Sequence, residues 1–329
     1  MAVPIFRASI PKSHPLIHSI SSALSLTDET WKKKRLLSCS AASSELKPFR
    51  PELCFSVGTY LIPHPNKVEK GGEDAFFVSS YNGGVLAVAD GVSGWAEQDV
   101  DPSLFPKELM TNASNFVGDV EVNNDPRILI GKAHAYTSSI GSATVMIAML
   151  ERDGILKIAN VGDCGLRVIR EGKIKFSTSP QEHYFDCPYQ LSSEIVGQTY
   201  QDAMVSNVEM MEGDTIVMGS DGLFDNVFDH EIVSTVAGYR DVAETAKVLA
   251  NLANNHSLDS NFDSPYSMEA RSKGFEPPLW KKILGMKLTG TAYPVLYYDD
   301  KAPLFVDLLA DLSGKPDDIT VIVGQVVSL

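Results

Sequence analysis

A succession of strand-length apolar runs, each closed by glycine or a charged turn, most constrains how this chain can fold. Runs of this length, rich in β-branched residues, predict β-strands. The turn Glu171-Gly172-Lys173 between two such runs indicates an antiparallel hairpin. The predicted strands are Ser56–Ile62, Ala75–Ser80, Val85–Ala89, Ala143–Leu150, Ile155–Val161, Leu166–Ile169, Ile174–Ser177, Val205–Met210, Thr215–Met218 and Ile319–Val327.

Helical periodicity separates these runs. It predicts helices over Pro102–Phe116, Arg127–Ser138, His230–Ala237 and Val242–Asn254. Many antiparallel strands interrupted by helices predict an α+β fold, in which antiparallel β-sheets pack together and α-helices flank them outside.

The charge is distributed unevenly along the chain. The net charge is −14, yet residues 1–50 carry eight Lys and Arg against three Asp and Glu, which leaves −19 on residues 51–329. A body this acidic repels phosphate backbones, so nucleic acid is excluded as a partner. None of the four cysteines is spaced as CxxC, which argues against a disulfide framework or zinc cluster. No apolar run approaches the roughly 20 residues of a transmembrane segment, so we expect a soluble or membrane-peripheral protein.

Residues 1–50 differ in composition from the remainder. They contain ten Ser, no Gly and no acidic residue before Asp28. This profile is typical of a chloroplast or mitochondrial transit peptide, and a disordered cytosolic tail is the alternative. Residues 51–329 are predicted to form one domain. Within it, residues 291–313 read as an insertion, because Leu288-Thr289-Gly290 is echoed by Leu312-Ser313-Gly314.

Acidic residues stand at the edges of the buried strands. They are Glu73-Asp74, Asp90-Gly91, Asp221-Gly222 and Asp317-Asp318. Strand ends fixed by an apolar core are rigid platforms, and converging carboxylates repel one another unless a cation lies between them. Oxygen ligands without His or Cys favour Mg²⁺ or Mn²⁺, which can activate water for phosphate-ester hydrolysis. Each Asp-Gly alone is commonly a turn, so the residues by themselves indicate only a possible metal-dependent hydrolase.

Taken together, these motifs resemble those of the metal-dependent type 2C serine/threonine protein phosphatases, over roughly residues 55–327. The matching strings are Glu73-Asp74, Asp90-Gly91-Val92-Ser93-Gly94, Gly141-Ser142-Ala143-Thr144, Gly162-Asp163-Cys164, Gly219-Ser220-Asp221-Gly222-Leu223-Phe224-Asp225 and Asp317-Asp318-Ile319-Thr320. The resemblance implies two packed antiparallel sheets with helices on both outer faces, an αββα sandwich, and two Mg²⁺ or Mn²⁺ ions per site.

The resemblance also implies roles for individual residues. Asp90 would bridge both metals, with the Gly91 carbonyl on the second. Asp221 and Asp317 would complete the coordination of the first metal ion. Asp90, Asp221 and Asp317 would therefore form the catalytic set. Glu73 would act through a bound water, and Asp74 and Asp163 would be outer-shell or third-metal groups.

Two departures from the family pattern stand out. Val92 replaces the family histidine proposed as general acid, and the phosphate-binding arginine upstream of the acidic pair is absent. Lys67 or Lys70 could bind substrate phosphate as a point charge, or both could be solvated loop lysines. His183 is a candidate proton donor, although a structural loop histidine is the favoured interpretation.

The strings Gly71-Gly72-Glu73-Asp74-Ala75, Asp90–Trp95 and His183–Leu191 are similar to the organellar branch of the family. The stretch Lys67–Phe105 is similar to chloroplast members that dephosphorylate threonines of photosystem II core subunits. This implies phosphorylated thylakoid proteins as substrates, and a location in the chloroplast stroma or at the thylakoid surface, with the mitochondrion as the alternative. The rival hypothesis is a catalytically weak phosphoprotein-binding module with the same fold; an acidic structural domain would leave six ordered motifs unexplained.

Overall fold

The computed structural model describes residues 51–194, 197–274 and 314–329. The expected transit peptide (residues 1–50) and the expected insertion (291–313) lie outside the described residues.

Thirteen strands occur in the described part of the chain, and every pairing between named strands is antiparallel. The strands are β1 (Leu53–Ile62), β2 (Ala75–Ser79), β3 (Gly84–Gly91), β4 (Ser142–Leu150), β5 (Ile155–Val161), β6 (Gly165–Arg170), β7 (Lys173–Ser177), β8 (Glu182–Tyr184), β9 (Cys187–Pro188), β10 (Leu191–Ser192), β11 (Met204–Glu209), β12 (Thr215–Gly219) and β13 (Ile319–Ser328). One sheet has the order β1-β13-β12-β6-β7 and the other β11-β5-β4-β3-β2, with β10 on β4 and β8–β9 a separate hairpin.

Six α-helices accompany the sheets in the described residues. They are α1 (Leu104–Phe116), α2 (Pro126–Ala135), α3 (Asp221–Phe224), α4 (Asp229–Gly238), α5 (Val242–Leu258) and α6 (Pro265–Ser272). Carboxylate caps fix two of the helix starts, because Asp125 accepts from the first amides of α2 and Asp241 from those of α5. No helix in these ranges is long and apolar enough to cross a bilayer.

Burial explains the layering of these elements. Every residue of β4 and β12 is buried, as expected for strands covered on both faces, whereas the edge strands β7 and β11 alternate between exposed and half-buried positions. Between the sheets, β3, β4 and β5 pack against β6, β12 and β13. Outside them, α1 and α2 cover one sheet and α4 and α5 the other. The predicted sandwich with helices on both outer faces is confirmed.

The sequence predictions missed the shorter elements. The helix α6 begins at Ser264-Pro265 and carries a mostly polar sequence, so its periodicity is weak. The hairpin β8–β9 turns at Asp186, which adopts a left-handed backbone conformation (φ 62°) that periodicity cannot reveal. Helix α2 ends at Ala135, three residues before the predicted end, where the Tyr136 amide closes a tighter turn onto Ala133.

Candidate active site

The strand ends bring the acidic motifs together at one end of the sandwich. Pairing of Ala75 with Ala89 places Asp74 beside the end of β3, where Asp90 lies. Pairing of Ile62 with Ile319 places the loop after β1 beside Asp317. Asp221 begins α3 directly after β12, which is the other neighbour of β13. The structure therefore collects Glu73, Asp74, Asp90, Asp221 and Asp317 from both sheets.

Crowding of negative charge perturbs these carboxyl groups. Burial raises the pKa of Asp90 well above its usual value, and the charges of Asp74, Asp221 and Asp317 raise it further. Burial and the Asp318 charge raise the pKa of Asp74 to about 8, and burial and the Asp221 charge raise that of Asp317 to about 7. Perturbation of several neighbouring acids by one another is typical of a functional site.

One side of the cluster is held by Lys67. Its Nζ lies 2.7 Å from Glu73 Oε2, 2.9 Å from Ser93 Oγ and 4.0 Å from Asp317 Oδ1. The Ser93 hydroxyl donates to Glu73 Oε2 at 2.6 Å. Lys70, at the end of the 3₁₀ turn 68–70, is exposed. Of the two candidate phosphate-binding lysines, the structure therefore brings Lys67 into the cluster.

The opposite side of the cluster is held by Lys315, which sequence reasoning missed. Its Nζ lies 2.6 Å from Asp221 Oδ2, 3.0 Å from Asp225 Oδ2 and 3.8 Å from Asp317 Oδ2. Burial opposes the ionisation of Asp221, but the charge and hydrogen bond of Lys315 outweigh it and lower the pKa of Asp221. The only available sequence signal was a lysine two positions before Asp317.

Asp318 anchors the loop that carries Glu73, a role sequence reasoning also missed. Its Oδ1 accepts the His64 amide at 2.7 Å, and its Oδ2 accepts the Glu73 amide at 2.9 Å. Gly72 packs against the same carboxylate with φ +81°, and a Cβ there would lie 2.6 Å from Asp318 Oδ1. Glycine is needed at this position by both its backbone conformation and the lack of space.

The remaining predicted residues occupy the same end of the domain or its margin. Desolvation raises the pKa of the half-buried Asp163 carboxyl group well above its usual value, and the charge of Asp221 raises it further. Gly91 ends β3, where a Cβ would lie 2.7 Å from the Glu73 and Pro102 carbonyl oxygens. His183 lies in β8 and is exposed, with its ring 4.5 Å from that of Tyr189 and its Nε2 3.1 Å from Gln198 Nε2.

The donor set of this cluster fits hard divalent cations. All of its side-chain ligand atoms are carboxylate oxygens, and Asp74 Oδ1 and Asp221 Oδ1 are buried without a hydrogen-bond partner. Within the described ranges, no three His, Cys, Asp or Glu side chains stand close enough together to ligate one ion. Mutual repulsion and orphaned oxygens are the chemical conditions that a cation would relieve.

Several known proteins are similar to this chain in sequence or in fold. No protein-family model matches the chain. The chain is 60% identical over 328 residues to probable protein phosphatase 2C 26 of Arabidopsis thaliana, covering 100% of both chains. It is 60% identical to the crystallised photosystem II phosphatase PBCP, with a TM-score of 0.74 over 84% of this chain and 100% of that one. The catalytic domain of the phosphatase PstP, solved with two manganese ions, shares the fold at 17% identity, with a TM-score of 0.52 over 84% of this chain and 100% of that one.

Proposed function

The chain belongs to the protein phosphatase 2C family and is a protein-serine/threonine phosphatase, and from this premise we propose that it dephosphorylates photosystem II core subunits in the chloroplast, using two Mg²⁺ or Mn²⁺ ions. The convergence of Asp90, Asp221 and Asp317 at one end of the sandwich is the observation that carries the catalytic part of the proposal. These are the residues that the family resemblance assigns to the metal pair.

The metal site would be built from Asp90, Asp221, Asp317, the Gly91 carbonyl and Glu73. Bound there, the two ions would supply Lewis-acid activation of a water nucleophile and of the phosphoryl group. Asp318 fixes the loop bearing Glu73, and Lys315 orients Asp221 by occupying its Oδ2. Such support holds the reacting groups in place before the substrate arrives. Positioning of this kind, together with electrostatic stabilisation, accounts for most of the catalysis of phosphoryl transfer.

Lys67 is the residue that would hold the substrate phosphate. Its side chain is one-fifth exposed, so its ammonium can reach an incoming anion while Glu73 and Ser93 keep it in place. A lysine gives a charge without the two-pronged geometry of arginine, so it would bind phosphate with less directional control. Val92 carries no proton to donate, so the side chain at this position is not the general acid.

The substrate and location rest on two supports. The 60% identity to the photosystem II phosphatase PBCP extends over the whole of that chain. The Ser-rich, basic composition of residues 1–50 is typical of a transit peptide, so these residues would direct import and then be removed.

A dephosphorylation assay on phosphorylated thylakoid membranes tests this proposal. The full chain is added with Mn²⁺ or with EDTA, and phosphothreonine on core and antenna proteins is followed by immunoblot. We expect loss of the core signal in Mn²⁺ only, at least about tenfold faster than the antenna signal, a difference of about 1.4 kcal/mol in transition-state binding.

Two variants control the assay. Asp90→Asn should abolish turnover while its circular dichroism spectrum stays that of the wild type, whereas Asp153→Asn, in an exposed turn, should remain fully active. Faster loss of phosphate from the antenna proteins than from the core proteins would refute the proposed substrate. Unchanged turnover by Asp90→Asn would refute the metal assignment and favour a different chemistry.

A further inference from the structure

A mostly buried lysine, Lys315, lies among the carboxylates on one side of the acidic cluster. The Lys315 side chain is 16% exposed, and its ammonium lies within 4 Å of four carboxylates. Two of them, Asp221 and Asp317, belong to the proposed metal set. The other two, Asp225 and Asp186, have no part in it and lie 3.0 and 3.5 Å from the ammonium.

The backbone of Lys315 is fixed as firmly as its ammonium. The Asn226 side chain accepts from the Lys315 amide and donates to the Lys315 carbonyl, both at 2.9 Å. Asn226 is fully buried and also donates to the Gly222 carbonyl at 2.9 Å. The position of the lysine therefore depends on α3, the element that also presents Asp221.

Helix α6 also contributes to the surroundings of the Lys315 ammonium group. The Tyr266 ring of α6 lies 5.2 Å from Lys315 Nζ, and its hydroxyl donates to Asp186 Oδ2 at 3.1 Å. Asp186 lies at the turn of the β8–β9 hairpin. The lysine is thus enclosed by side chains from α3, α6 and this hairpin, and its geometry is that of a built site rather than of a surface ion pair.

The charge balance shows why a cation is needed there. The charges of Asp221 and Asp225 raise the pKa of Asp163, and the charge of Lys315 lowers it. Buried carboxylates must be paired or coordinate a cation. The two nearest oxygens, on Asp221 and Asp225, stand 2.6 and 3.0 Å from Lys315 Nζ, so each would have to move inward by roughly 0.5–1 Å to ligate a divalent ion at that point.

We propose that Lys315 is a tethered cation that takes the place of an additional divalent ion, so that the Asp221–Asp225–Asp186 side of the cluster is neutralised by the chain itself. This inference rests on the proposed function, because the ions bound near Asp90 define which cations are additional. Lys315 is accordingly a positioning residue: it holds Asp221 Oδ2 and leaves Asp221 Oδ1 for the metal site.

The test is a count of bound Mn²⁺, made by equilibrium dialysis on the full chain and its Lys315→Ala variant. We expect two ions per wild-type chain and three per variant chain, since alanine leaves both the negative charge and the space. In EDTA the variant should melt about 6–20 °C below wild type, the usual consequence of unpairing a buried charge, and Mn²⁺ should restore most of the difference.

Two further variants sharpen the result. Lys132→Ala is the matched control, because this lysine also contacts two carboxylates, Asp119 at 2.8 Å and Glu121 at 2.7 Å, away from the cluster. Lys132→Ala should leave unchanged both the number of Mn²⁺ ions bound per chain and the effect of Mn²⁺ on the melting temperature. If Lys315→Ala does not fold, the double variant Lys315→Ala/Asp225→Asn is used, because it removes one positive and one negative charge. It should fold in EDTA and should bind two Mn²⁺ ions per chain when Mn²⁺ is supplied.

The outcomes separate the two claims. A wild-type chain that binds no Mn²⁺ would overturn the proposed function, and the inference with it. Two ions in both wild type and Lys315→Ala, with melting temperatures in EDTA within 2 °C, would overturn the inference alone. Failure of the double variant to fold would also count against it, because relief of the unpaired charge is what the inference requires.

Discussion

Replacing Asp318 should weaken the domain and its metal site together. The carboxylate accepts two backbone amides, from His64 at 2.7 Å and Glu73 at 2.9 Å. A hydrogen bond to a charged group contributes about 1.5–3 kcal/mol. Asp318→Asn keeps one acceptor and should cost about one such bond, whereas Asp318→Ala loses both and should cost about 3–6 kcal/mol.

For a domain of this size, 1 kcal/mol corresponds to about 2–4 °C in melting temperature. Thermal unfolding followed by circular dichroism should therefore show a fall of about 3–12 °C for Asp318→Asn and at least about 6 °C for Asp318→Ala. Because the Glu73 loop is loosened, the Mn²⁺ concentration for half-maximal phosphatase activity should also rise. Asp153→Asn, in an exposed turn, is the control. A melting temperature within 2 °C of wild type for Asp318→Ala would refute the reasoning.

Two other predictions concern charge. Lys67→Met should lower kcat/KM on a phosphothreonine peptide about 10–100-fold, because a charge-assisted hydrogen bond to the substrate phosphate is lost. Lys70 is exposed, so Lys70→Met should change kcat/KM less than about twofold. Equal effects of the two substitutions would contradict the assignment of Lys67 as the phosphate-binding residue. Hydrogen bonds from Ser139 and Ser138 lower the pKa of Glu108 to about 2, so this group stabilises the fold above its unfolded pKa and loses that effect as pH falls toward 2. Glu108→Gln should therefore melt below wild type at pH 7 and converge with it near pH 2, and a pH-independent difference would refute the linkage.

The strands and acidic positions could be predicted because their signals are local. Runs such as Ala143–Leu150 are apolar throughout, and in the structure the whole of β4 is buried. A glycine directly after Asp90 and after Asp221 marks a strand end, so the positions of these two acids followed from the strand boundaries alone. That they converge was an expectation from family resemblance, which no spacing in the sequence could supply.

The supports of the site could not be predicted, because they are made by contacts between distant parts of the chain. Asp318 anchors His64 across 254 positions, and Lys315 meets Asp221 across 94. Nothing in the local sequence distinguishes Lys67 from Lys70 either, although only Lys67 precedes the 3₁₀ turn with its ammonium directed at Glu73. Tertiary packing makes this choice.

The ten-residue pairing of β1 with β13 has a consequence for how the protein is made. Leu53 pairs with Ser328 and Ile62 with Ile319, and β13 separates β1 from β12 within its sheet. Synthesis proceeds from the N-terminus, so β1 and β12 emerge long before the strand that joins them. This half of the sandwich can close only after β13 has left the ribosome, and until then the edges of β1 and β12 that pair with β13 are unpaired.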